Sequence, residues 1–331
     1  MQNIMNKKVL TKRRFLQALA ASSFFPNLLM AQTTGYGIIR LVVPYGAGGP
    51  TDIVARLIAT QLQILLKQTV VVENKPGAGS AIGARFVASS PNDGNTILIG
   101  NVSTFAIVPA TTKNPGYDPI KSFVPIAQTS DVSSVMVTNS AFPAKTVQEF
   151  VTYARANPGK ISYGSSGIGN SAHLLGELLQ MRAQLNMVHI PYRSGAEMNL
   201  AVLSGQVQFA IMDLSASVAQ IKDGKLKALA LTGISRSNEF PQVPTMIESG
   251  FPDIVLRNWT GAAVAAGTPP AIVKKLENAF IEILKMPDYQ NSIRKISGDA
   301  KPNTSEEFGN LILSDFKKWT EVAKQAGISL E

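Results

Sequence analysis

The sequence contains no cysteine, and its 331 residues include only two histidines and two tryptophans. Without cysteine there are no disulfides, thiolate nucleophiles, iron–sulfur clusters or zinc–thiolate sites. His173 and His189 are too few for a histidine-rich metal centre, so neither a metal nor a cofactor is expected. Charge is sparse at 16%, but 45% hydrophobic residues and a mean hydropathy of only +0.11 fit neither a disordered chain nor a membrane bundle. Beyond the N-terminal region no window reaches the roughly 18 consecutive apolar residues that a span requires. The length is sufficient for two domains with real cores.

The net charge of +9 invites a nucleic-acid partner, but it is concentrated at one end. Lys7, Lys8, Lys12, Arg13 and Arg14 fall within residues 1–31, which hold no acid, and 26 bases against 22 acids remain after them. The remainder shows no five-residue basic run and no interleaving of arginine with aromatics, so clustered phosphate contacts are not expected. That N-terminal segment has a basic start, an apolar stretch interrupted by Ser22, Ser23, Pro26 and Asn27, and the small residue Ala31. This is the layout of an export signal, with a mature chain from about Gln32 in the periplasm; a retained helix or anchor is the alternative. Thr11–Gln17 resembles a twin-arginine signal with Lys12 in place of the first arginine, which leaves the Sec route open. No cysteine follows, so a lipoprotein is excluded.

In the rest of the chain, β-rich runs alternate with helical periodicity, which predicts an α/β fold with mostly parallel sheets. Strands are expected at Arg40–Tyr45, Thr69–Asn74, Thr96–Gly100, Ser134–Asn139, Ile161–Ser165, Met187–Tyr192, Phe209–Met212, Ala228–Thr232 and Gly261–Ala265. Helices are expected at Thr51–Leu66, Ser80–Ala88, Thr146–Asn157, Asn170–Gln184, Ala196–Ser204, Ala271–Leu284 and Ser305–Ala326. Thr146 with Glu149 and Thr304 with Glu307 have capping-box spacing, and Gly327 suits a helix C-terminus. No linker-like segment separates two domains. Val124–Val137 and Pro252–Ala262 read as extended crossings, so both chain ends (32–132 and 256–331) form one lobe and residues 133–255 the other.

Glycines and small hydroxyl residues gather where strands hand over to helices: Pro44–Asp52, Asn74–Ser80, Gly100–Thr104 and Gly164–His173. Helix N-termini carry unpaired N–H donors and a positive dipole end, and glycine lets a ligand come close. Each segment alone reads equally as a capped turn; together they suggest a cleft lined by neutral dipoles and suited to carboxylates. Enzyme signatures fail on spacing. Gly77, Gly79 and Gly83 miss the dinucleotide fingerprint by one residue, and no phosphate-binding G-x-x-x-x-G-K-[ST] occurs. Ser165 and Ser166 near His173 invite a hydrolase, but Ile168 stands where a nucleophile elbow needs glycine. His189 reads as a satisfied core histidine of an apolar strand. Asp52, Asp93 and Asp118 read as caps. Asp213 is either a ligand contact or a cap, and Arg193 either meets a carboxylate or points to solvent.

The motifs Val43–Arg56, Val72–Gly79, Tyr163–Leu174, Pro191-Tyr192, Ser204–Val207, Pro244–Glu248 and Ala266–Pro269 resemble, in order, those of the substrate-binding proteins of tripartite tricarboxylate transporters, the Bug family. The resemblance implies a two-lobe periplasmic-binding-protein fold of the Venus-flytrap type, two hinge crossings, and a small carboxylate gripped between the lobes. It implies no catalysis, transient delivery to a membrane permease, and a monomer whose hinge closure is the signal. A receptor serving a signalling partner and a Ser/His hydrolase are the alternatives. The ligand residues would be Tyr45, Gly46, Ala47, Gly48, Gly49, Thr51, Ser103 and Thr104 from the first lobe. From the second they would be Ser165, Ser166, Asn170, Ser171, His173, Tyr192, Arg193 and Asp213. Three departures from the family pattern are Asn170, Arg193-Ser194-Gly195 and the pair Met212-Asp213. An aspartate there would repel a second carboxylate, so a ligand with one carboxylate plus an amine or hydroxyl is expected.

Overall fold

The computed structural model describes residues 37–329; the expected export signal in residues 1–31 and the mature start at Gln32 lie outside the described residues. The first lobe opens with strand β1 (Ile39–Val43), helix α1 (Pro50–Leu66), β2 (Val70–Asn74), α2 (Ala81–Ala88) and β3 (Thr96–Asn101). A π-helical turn (Ser103–Ile107) and α3 (Val108–Thr111) lead to the long strand β4 (Phe123–Asn139). Then follow α4 (Val147–Ala156), β5 (Ile161–Ser165), α5 (Ser171–Ala183), β6 (Met187–Pro191) and α6 (Gly195–Leu203). β7 (Phe209–Asp213), α7 (Val218–Lys222), β8 (Leu226–Leu231) and β9 (Arg257–Ala265) come next, and α8 (Pro270–Lys285), α9 (Pro287–Arg294), β10 (Gly298–Asp299) and α10 (Ser305–Gln325) complete the chain.

The strands lie in the order β2-β1-β3-β9-β4-β7-β5-β6, with β8 and β10 also paired to β4. The β2-β1-β3 and β6-β5-β7 groups are internally parallel, as the α/β alternation predicts. The centre is antiparallel, because β4 and β9 run against their neighbours; the expectation of mostly parallel pairing holds only within the two outer groups. β4 is one continuous strand of 17 residues where the sequence suggests an extended segment followed by a short strand. Through Ser133 it pairs with β9, and from Ser134 onward with β7 and β8. One strand thus belongs to both halves of this two-lobe α/β fold.

Each half has its own core, and a third cluster spans both. α1 and α8 press Val54, Ile58, Leu62, Phe280 and Ile283 onto one face of the first sheet, while Val135, Met198, Val202, Ala210 and Leu231 fill the second. Phe105, Trp259, Phe308 and Trp319 join Phe150 and Phe209 in the shared cluster, to which α10 contributes from the C-terminal end of the chain. Helix ends follow the sequence signals. Thr304 and Glu307 form a reciprocal capping box, with bonds of 3.1 and 2.7 Å. Thr146 accepts from the Glu149 N–H, but the Glu149 carboxylate reaches back to the N–H of Lys145 rather than Thr146. Gly327 takes the left-handed conformation (φ +66°) that ends α10.

Candidate functional site

A cleft of about 660 Å³ lies between the halves, within the usual range of small-molecule sites. One wall is the β1–α1 loop. Asp52, buried at the third position of α1, fastens it: its carboxylate accepts from the Gly48 N–H (2.9 Å), from Arg56 Nε and Nη2 (2.8 and 3.1 Å) and from Asn74 Nδ2 (2.9 Å). Asn74 Nδ2 also donates to the Tyr45 carbonyl. Asp52 is therefore a loop clasp as well as an anion in the first turn of a helix, and these donors hold its carboxyl down at about 2. The Tyr45 hydroxyl donates to Asn101 Oδ1 (2.6 Å) and bonds Thr104 Oγ1 (2.8 Å), while Asn101 Oδ1 accepts the Ser103 N–H. Burial pushes the Tyr45 phenol up. Its hydroxyl is thus committed to the scaffold, and the residue lines the cleft.

The facing wall is the β5–α5 loop. Asn170 caps α5 by accepting the His173 N–H and donates to Ser166 Oγ. Ser165 Oγ accepts from the Gly167 N–H and lies 2.7 Å from His189 Nε2. His189 is thus satisfied, as expected of a histidine in an apolar strand; it braces this loop and stacks on His173 with ring centroids 3.7 Å apart. His173 Nδ1 accepts the Gly169 N–H, which leaves the proton of its neutral ring on Nε2, facing Glu177 at 3.8 Å. The floor is the crossing itself. Ser130, Val132, Asn258 and Thr260 line the cleft from β4 and β9, with Asp213 from β7; pairing sets Ser130 opposite Thr260, Val132 opposite Asn258, and Ser134 opposite Asp213. The Ser130 hydroxyl is buried with no partner.

Of the expected ligand residues, Tyr45, Gly46, Gly48, Gly49, Thr51, Ser103, Ser166, Ser171 and Asp213 line the cleft. Ala47, Thr104, Ser165, Asn170, His173, Tyr192 and Arg193 do not. Ala47 points to solvent; Thr104, Ser165 and His173 are buried behind the walls. Asn170 serves as the cap, Tyr192 packs against the second core, and Arg193 is exposed, its N–H held by Glu197. Asn101, Ser130, Asn258, Thr260 and Gly195 were missed. Only Asn258 and Thr260 carry a local signal, two polar residues flanking Trp259 on one face of a strand that is otherwise apolar toward its end.

The lining has no Lys, Arg or His among the described residues. Instead the first turn of α1 (Pro50, Thr51) and the first residues of α5 (Ser171) and α6 (Gly195) meet there. Three N-terminal dipole ends suit an anion without a formal counter-charge. Ser165 and His173 do not form a nucleophile–base pair. Ser165 is fully buried, and His173 has spent its free lone pair on Gly169.

The stacked histidines make acid stability testable. Burial and the neighbouring His173 lower the pKa of His189 to about 4, and burial lowers that of His173 as well. Below pH about 6.5 the unfolded chain takes up protons that the folded one refuses, so stability present above that value falls toward pH 4. A loss of roughly 2 kcal/mol, discounted for partial solvent access, is expected. Urea midpoints at several pH values check this, and in His189→Gln the slope should shrink. An identical slope in the variant would contradict it.

The comparisons with known proteins agree with this architecture. The profile of the tripartite tricarboxylate transporter family receptor matches residues 54–328. A UPF0065 protein from the gbd 5′ region of Cupriavidus necator is 36% identical over 291 residues, 88% of each chain. The solved periplasmic binding protein BugD superposes with a TM-score of 0.75 at 35% identity, covering 89% of this chain and 99% of its own. A protein of R. palustris solved with adipate gives a TM-score of 0.77 at 30% identity, covering 88% and 97%. The fold and its relatives are those of solute-binding receptors, and the chain belongs to the tripartite tricarboxylate transporter receptor family, the Bug proteins.

Proposed function

We propose that this protein is a periplasmic receptor that holds a small carboxylate in the cleft between its lobes and passes it to a membrane permease. The observation that carries this reading is the meeting of three helix N-termini in a cleft without a basic side chain. The adipate bound by the R. palustris relative supports the ligand class. In this reading residues 1–31 direct export, and the lobes are 32–132 with 256–331, and 133–255, joined where β4 changes partners. Gly46, Gly48, Gly49, Thr51, Ser103, Ser166 and Ser171 contact the solute, with Asn101, Ser130, Asn258 and Thr260 added from the floor. Asn170, Ser165, His173 and His189 act through the loop they hold. The receptor works as a monomer, because lobe closure is the signal, and it catalyses no reaction.

A thermal-shift screen of protein refolded free of solute tests this, using mono-, di- and tricarboxylates, amino acids and aromatic acids. A ligand at about 100 times its Kd adds roughly 2.7 kcal/mol, a rise of about 5 °C for a chain of this size. Stabilisation confined to carboxylates is the expected result. Turnover of simple esters, lost on His173→Ala, would favour a hydrolase instead.

A further inference from the structure

Asp213 occupies an unusual place in the cleft. It ends β7, lines the main cleft, and also lines an adjoining recess of about 110 Å³. None of the residues Tyr45–Val54 of the facing wall reaches that recess, so the recess extends the space on the Asp213 side, away from the β1–α1 loop. Among the described residues that line the cleft and recess, Asp213 is the one carboxylic acid, and no Lys, Arg or His stands beside it there. Its Oδ1 accepts from Asn258 Nδ2, which also donates to Ser134 Oγ at 2.9 Å. The other groups around it come from β4 (Ser134), β9 (Asn258), α5 (Ser171) and α6 (Gly195), and none of them titrates. Arg257, next along β9, pairs with Asp131 and faces a different hollow.

We infer that the solute carries an ammonium group in addition to its carboxylate, and that the ammonium pairs with Asp213 while the carboxylate sits at the N-terminus of α1. This rests on the carboxylate-receptor reading above and narrows it to amino-carboxylates. The charge arithmetic is direct: an acid enclosed without a cation is matched by a ligand cation and opposed by a second carboxylate. Burial pushes the Asp213 carboxyl up despite Asn258 and Ser134, so the surrounding dipoles fall short of compensating its charge. An ammonium removes that deficit.

Matched pairs of ligands read the far-end group alone: succinate with 4-aminobutanoate, glutarate with 5-aminopentanoate, and adipate with 6-aminohexanoate. Calorimetric titration near pH 7.5 should show at least one amino acid bound about tenfold or more tighter than its dicarboxylate partner. Asp213→Asn should bring that pair to within about threefold, chiefly by improving the dicarboxylate. Asp213→Ser removes the same charge in a smaller side chain and should narrow the same pair equally; it decides the matter if the asparagine variant does not fold. A dicarboxylate bound as tightly as its partner in every pair, or a ratio unchanged by the folded variant, overturns the assignment while leaving a carboxylate receptor. Silence across all pairs and across the wider carboxylate screen, in folded protein, overturns the receptor reading itself.

Discussion

Replacing Trp259 with alanine is expected to destabilise the protein by about 4–5 kcal/mol, a large share of what holds a domain together. The indole is fully buried on β9, with Phe105 stacked at 5.9 Å and Phe308 edge-on at 5.3 Å. Removing it leaves a cavity that rigid rings cannot fill, and orphans a second group. Trp259 Nε1 donates to Asp315 at 2.6 Å, the largest influence opposing the burial that pushes this carboxyl up. A buried carboxyl without its donor adds roughly 1–2 kcal/mol to the cavity term. The effect reaches the site because strand alternation places Asn258 and Thr260 in the cleft and Trp259 behind them. Trp259→Phe should retain most of the packing and lose about 2 kcal/mol, mainly through Asp315. Urea denaturation followed by circular dichroism measures both. A loss below about 1.5 kcal/mol for Trp259→Ala would show that the shared core does not depend on this ring.

Much of the fold is legible because local chemistry and tertiary packing agree. Pro50 at the start of α1, the capping box of Thr304 and Glu307, and the left-handed Gly327 state their helix ends locally. β4 is harder. Its middle, Gln128–Ser134, is polar, which suggests a loop or an extended crossing. It forms strand because β9 pairs it over Phe123–Ser133, and β9 lies more than a hundred residues away. α9 buries only Tyr289 and Ile293, too thin a stripe for periodicity to register. The turn and short helix from Ser103 to Thr111 present their apolar residues on nearly all sides, so no amphipathic period marks them.

The site divides along the same line. Glycine-rich turns at strand ends announce themselves, since α/β sheets place their ligand loops there, and Gly46, Gly48, Gly49, Ser166 and Ser171 do line the cleft. The floor stays hidden, because Ser130 and Thr260 meet only through long-range register. Residues such as Thr104, Ser165 and His173 belong to the right loops but turn inward, where they hold the loop's own backbone. Motif matching cannot separate a residue that touches the solute from one that holds its neighbour in place. His189 is legible in kind: an apolar strand context suggests a histidine satisfied within the structure, and its ring nitrogen is bonded to Ser165, though which loop it holds is not readable locally.

Asp52 is the strongest test of that supporting layer. Asp52→Ala is expected to lose about 3 kcal/mol and to weaken solute binding by about tenfold or more. The carboxylate gathers the Gly48 N–H, Asn74 and Arg56 at one point, so its removal unfastens the β1–α1 loop from both α1 and β2. Arg56 is half exposed and finds water, so the loss falls on the loop. Asp52→Asn separates charge from shape, because its amide oxygen still accepts one bond; about 1–2 kcal/mol should go. The acid limb gives an independent reading. The folded pKa, at about 2 against an ordinary 3.8, means that stability present above pH about 4 is lost as pH falls through 2. The shift corresponds to about 2 kcal/mol, and the asparagine variant should lack that part of the slope. Denaturation midpoints between pH 2 and 5, with calorimetric titration of the solute at pH 7, compare the three proteins. If the alanine variant kept the affinity of the unaltered protein while losing stability, Asp52 would belong to the fold alone, and the loop would hold its binding shape without it.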